Sequence, residues 1–78
     1  MGRVPPLAPR EMAALLRFWG FEMIRQRGSH QQWRHADGRQ TTLPVHPGRD
    51  LSPVLIRQIA KDIAMDVETF LTALGNAS

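Results

Sequence analysis

Two guanidinium groups, a flexible break and an imidazole stand within six positions of this 78-residue chain, in Arg25-Gln26-Arg27-Gly28-Ser29-His30. The run continues to Gln32-Trp33-Arg34-His35, and with His46 all three histidines of the sequence fall between residues 30 and 46. An imidazole titrates near neutrality, so an exposed one can take or give a proton, and the planar arginine fork matches phosphate oxygens. An acid–base group in a field of arginines is the minimal equipment for cleaving RNA through its own 2′-hydroxyl. The imidazole takes the 2′-proton, guanidinium groups stabilise charge in the transition state, and no metal is needed. The same residues also fit a plain solvated basic surface that binds without reacting.

Other chemistries lack their parts. His30 and His35 have opposite parity on one strand, and neither forms an i, i+4 helical pair with another ligand, so the histidines do not assemble a metal cluster. A two-metal nuclease needs several converging carboxylates, whereas the basic segment offers only Asp37, in a turn, with Asp50 at its border. There is no Walker loop and no cysteine nucleophile, and Ser29 has no partner set that makes a triad. No metal and no cofactor are expected.

Charge distribution sharpens the picture. The net charge of +3 resolves into +1 over residues 1–22, +4 over 23–49 (five arginines against one aspartate) and −2 over 50–78. An anionic partner is thus addressed by the middle segment. Without cysteine no disulfide framework can form, so a reducing, cytoplasmic compartment is the natural reading. The N-terminal stretch lacks the apolar core of a signal peptide, and no membrane span is expected.

The elements that must position these residues follow from periodicity. Residues 1–8, with Pro5 and Pro6 and no apolar period, are expected to be an extended, weakly ordered lead. A single domain then covers residues 9–75. Met12, Leu15, Leu16 and Trp19 repeat at i, i+3, i+4, i+7 behind Pro9, which predicts a helix ending at Gly20 with Phe18 and Trp19 as core anchors. Phe21 to Arg27 reads as a strand broken by Gly28-Ser29, and His30 to His35 as a second. Asp37-Gly38 signals a tight hairpin, and Gln40 to Val45 a third strand whose Pro44 marks an edge or an end. Ser52-Pro53 starts a helix carrying Ile56, Ile59, Ala60 and Ile63, and Asp66 caps a short last one with Val67, Phe70, Leu71 and Leu74. The expected fold is α+β, in the order α-β-β-β-α, a three-stranded antiparallel sheet with helices on one face and the other face open. Alternation along the second strand places Trp33 toward the helices with Gln31 and His35, leaving His30, Gln32 and Arg34 on the open side.

These residues carry a resemblance. Gly20-Phe21-Glu22, Arg25 to His30, His35-Ala36-Asp37-Gly38-Arg39, Leu43-Pro44-Val45-His46, Leu51-Ser52-Pro53 and Leu55-Ile56-Arg57-Gln58-Ile59 resemble the HicA toxins of type II toxin–antitoxin modules, over about residues 9–74. The resemblance implies a small mRNA interferase with a double-stranded-RNA-binding-domain-like fold, neutralised by a HicB-type antitoxin. It also implies that His30 is catalytic, with Gly28 and Ser29 shaping its turn. Around it, Arg25, Arg27, Ser29, Arg34, Arg39 and His46 are the expected RNA-contacting residues. The second acid–base group is left open between His46 and His35. Three departures stand out: the longer proline-rich lead, Gln31 where many relatives carry a histidine or another basic residue, and Ala64-Met65-Asp66 where relatives have a glycine between the last two helices. A non-catalytic double-stranded-RNA-binding module would share this order and basic surface without needing His30.

Overall fold

The computed structural model describes residues 3–75. Helix α1 (Pro9–Phe18) is followed by strands β1 (Phe21–Arg27), β2 (His30–His35) and β3 (Gln40–Pro44), then helices α2 (Pro53–Asp62) and α3 (Val67–Leu71). The strands form an antiparallel meander in the order β1-β2-β3, and the helices cover one face, giving the expected double-stranded-RNA-binding-domain-like layering. One core joins Met12, Leu15 and Leu16 of α1, Phe21, Trp33 and Leu43 of the sheet, Ile56 and Ile59 of α2, then Ile63, and Phe70 of α3.

Local chemistry sets the element ends. Glu11 reaches back to accept the backbone N–H of Ala8 at the start of α1 (2.8 Å), and the Ser52 hydroxyl accepts from Leu55 N–H at the start of α2 (3.2 Å). Gly28 has φ +58 and Ser29 does not enter the left-handed region, the pattern of a two-residue type II′ hairpin between Arg27 and His30. The second hairpin is one residue longer than the tight turn expected. His35 and Arg39 close it (2.9 Å), Gly38 N–H donates to the His35 carbonyl, and Gly38 at φ +98 supplies the left-handed third position.

Two expectations need correction. The proline-rich lead is not loosely attached: Val4 and Leu7 are buried in the core, and Leu7 exchanges two backbone hydrogen bonds with Leu51. Two apolar side chains and one bridge suffice to dock it, although its prolines forbid a helix. Met1 and Gly2 of that lead lie outside the described residues. Phe18 is not a core anchor, being 49 % exposed at the end of α1, where its ring meets Trp19 edge-on. Trp19 does pack on the core, and its indole N–H donates to the Phe70 carbonyl (3.1 Å), tying α1 to α3.

Helix α2 ends in a Schellman motif: Ala64 N–H donates to Lys61 O (3.0 Å) and Met65 N–H to Ala60 O (2.9 Å). The position between them requires a left-handed backbone, and Ala64 adopts φ +57, the sole non-glycine residue with positive φ among those described. A Cβ there costs roughly 1–2 kcal/mol. Ala64 is exposed, so a glycine forfeits no packing, while it adds roughly 0.4–1 kcal/mol of unfolded-state entropy. Ala64→Gly is therefore expected to stabilise the domain by up to about 1 kcal/mol, raising the thermal midpoint by a few degrees. A lowered midpoint in a circular-dichroism melt refutes this account of the junction.

Candidate active site

Two arginines of the sheet's open face owe their place to one irregularity. Met23 pairs with Trp33 and Arg25 with Gln32, so Ile24 is an extra residue, a β-bulge in the edge strand. Regular alternation from Phe21, which is buried, would send Met23, Arg25 and Arg27 toward the helices. The inserted residue reverses parity, so that Arg25 stands opposite Gln32 and Arg27 opposite His30, both pairs on the open side. Arg25, Arg27, Arg34 and His30 therefore share one exposed face with Gln32 and Thr42, whose side chains hydrogen-bond to each other (3.1 Å).

His30 is held by backbone alone. It is the first residue after the type II′ turn, its strand partners are Arg27 on one side and Pro44 on the other, and its imidazole has no side-chain partner among the described residues. The turn is braced at both ends: Gln26 Nε2 donates to the Gly28 carbonyl (3.2 Å), and Val45 N–H donates to the Ser29 carbonyl (2.6 Å). Ser29 is half-buried, and its carbonyl takes the bond from Val45. His46, exposed, directly follows the residue that pairs with Ser29 and so lies at the same end of the sheet as His30.

Arg39 and His35 are placed differently. The Arg39 guanidinium holds both Asp37 oxygens through Nε (3.1 and 2.9 Å), donates to the Ile63 carbonyl (2.7 Å) and lies over the Phe21 ring at 5.1 Å. It is a strut between the β2–β3 turn and the end of α2, away from the arginines around His30. The Arg39 backbone N–H, reinforced by its guanidinium, holds the Asp37 carboxyl below the usual carboxylate range. That contribution is present above the ordinary carboxylate range and is lost as pH falls below it. His35 packs edge-on against Phe21 (5.0 Å between ring centres), and its Nδ1 accepts the Asp37 N–H (3.0 Å). A Cβ on Gly20 would lie 2.8 Å from His35 Nε2, so the glycine, at φ +94, makes room for the ring. Of the two histidines left open as a second acid–base group, only His46 stands at the His30 end.

Among the described residues no three His, Cys, Asp or Glu side chains converge on a point that could hold a metal ion, and no helix is long and apolar enough to cross a membrane.

A three-stranded meander with helices on one face and an arginine-lined, histidine-bearing open face defines a small α+β domain of α-β-β-β-α order. The family model described as the HicA toxin of bacterial toxin–antitoxin matches residues 9–65, and the chain belongs to that family. It is accordingly the toxin of a toxin–antitoxin system, with a cognate antitoxin as partner. A comparison with curated proteins found no match.

Proposed function

We propose that this toxin is a metal-independent endoribonuclease that cleaves mRNA, with His30 as its acid–base residue and a HicB-type antitoxin as its inhibitor in a type II module. The observation that carries the reading is the pairing of an exposed, unpartnered His30 directly opposite Arg27 on a face that also presents Arg25 and Arg34. The His30 imidazole takes the proton of a ribose 2′-hydroxyl, and the 2′-oxygen attacks the adjacent phosphorus. The bond from phosphorus to the 5′-oxygen breaks and that oxygen takes a proton from solvent, leaving a 2′,3′-cyclic phosphate on one product and a 5′-hydroxyl on the other. Arg25 and Arg27 stabilise the charge that builds on the phosphoryl oxygens. A backbone-held imidazole beside guanidinium groups supplies these roles without a metal ion. The antitoxin is expected to bring an acidic surface that covers this face.

A single deoxynucleotide at the scissile position removes the nucleophile and is expected to stop cleavage, with cyclic-phosphate or 3′-phosphate ends on the products of the all-ribose strand and no effect of EDTA on its rate. Gel analysis of matched ribose and deoxy-substituted strands reads this directly. Efficient cutting of the deoxy-substituted strand sinks the mechanism. The α-β-β-β-α order itself favours one other reading, a duplex-RNA-binding module, and binding of duplex RNA with no cleavage under any condition would select it.

A further inference from the structure

At the end of the open face remote from the Gly28-Ser29 turn lies a groove of about 320 Å³ lined by Gly20, Glu22, Ile24, Arg34, His35 and Ala36. Its volume falls at the small end of the range for ligand pockets, room for one flat ring system. Arg34 is four residues along β2 from His30, about 13 Å at ~3.3 Å per residue, so the groove and the histidine can face different parts of one extended strand.

Its walls carry opposite charges in register. Glu22 and Arg34 are cross-strand partners, both exposed, yet they form no ion pair with each other, while Asp37 among the described residues is held by Arg39. A carboxylate is out of place on a surface that binds phosphate, because it repels the backbone its arginine neighbours attract. It does suit the amino and imino edge of a nucleobase. Ile24, the bulge residue and 52 % exposed, supplies an apolar surface for a ring, and Gly20, His35 and Ala36 line the end.

We propose that this groove is a base-reading subsite for guanine in single-stranded RNA. Arg34 donates through its fork to O6 and N7, the commonest base-specific contact of arginine, while the Glu22 carboxylate accepts from N1–H and the 2-amino group. Adenine presents an amino group where Arg34 needs an acceptor, and uracil offers Glu22 a single imino donor. Unpaired bases are the usual targets of sequence-specific RNA recognition, since their edges are free. The inference rests on the RNA-cleaving reading of His30 and adds the base that sets where the cut falls.

The test uses the full chain and short single-stranded RNAs with one cleavage site, in which each flanking guanine is replaced in turn by inosine, which lacks only the 2-amino group, or by adenine. At one flanking position guanine is expected to exceed inosine in kcat/KM by roughly five- to a hundredfold. Glu22→Gln is expected to collapse that ratio toward one. Cleavage with no guanine dependence at any position, or a guanine preference untouched in Glu22→Gln, overturns the subsite while sparing the nuclease reading. A readout free of cleavage separates the two ideas. In an NMR titration of the labelled chain, guanosine monophosphate is expected to shift the amides of Glu22, Ile24 and Arg34 more than inosine monophosphate does. If that holds and no RNA is cut, the nuclease reading falls and the subsite stands; equal shifts, or shifts confined to His30, refute the subsite.

Discussion

His30→Ala is expected to leave the domain folded and most RNA binding intact while cleavage falls by roughly 10²–10⁴-fold, the scale of a positioned acid–base group. The separation of effects follows from the way the residue is held. His30 is exposed, its side chain contacts no partner among the described residues, and its place is fixed by the turn and by pairing with Arg27 and Pro44, which alanine preserves. Binding rests on several arginines, so loss of one ring changes it little, whereas the salt dependence that those arginines impose should persist. Single-turnover cleavage, a thermal melt and RNA affinity measured at two salt concentrations on the same preparation decide the matter. Full activity in His30→Ala refutes the assignment, and loss of fold in parallel with activity removes its claim to be chemical.

The opposite result is expected one face away. Trp33 is 2 % exposed, lies at the centre of the middle strand, and is packed in the core with the Arg17 guanidinium over its ring at 5.6 Å and its indole N–H donating to Gln31 Oε1 (3.1 Å). Truncating it removes the largest buried side chain and leaves a cavity that so small a core has little slack to close. Trp33→Ala is expected to cost about 3–5 kcal/mol, comparable to what a single core of this size supplies. The variant should lack a cooperative melt and with it all activity. A cooperatively folded Trp33→Ala that has lost only RNA binding contradicts the packing described for the middle strand.

Much of this arrangement was legible in the chain itself. Helical spacing and proline starts mark α1 and α2, Gly28-Ser29 marks the turn before His30, and strict alternation from Trp33 outward puts His30 and Arg34 on the open side, as observed. What was not legible depends on contacts distant in sequence or on the count of residues across strands. Arg39 looks like one more cation of a basic segment until the fold brings the Ile63 carbonyl to it. Val4 and Leu7 are hidden among prolines that suggest a loose lead, though a β-bridge to Leu51 needs only an extended chain. The groove between Glu22 and Arg34 exists only in the β1–β2 register. The bulge leaves no trace in Phe21-Glu22-Met23-Ile24-Arg25-Gln26-Arg27, a run with no glycine, proline or asparagine to announce it.

That bulge lets β1 carry one residue more than β2 can pair with and still keep its place. With Ile24 present, the chain skips one beat of the alternation between Met23 and Arg25, and everything after the skip is read onto the opposite face. An in-frame loss of that one codon would keep every arginine and histidine of the gene. The strand would then run against β2 as a regular one in the same register, with Arg25 and Arg27 still on the open side. Arg27 would still stand opposite His30, and what is lost is the local twist of the edge strand and the exposed Ile24 side chain. Loss of that one codon thus leaves the charged face in place and costs the groove beside Arg34 its apolar wall.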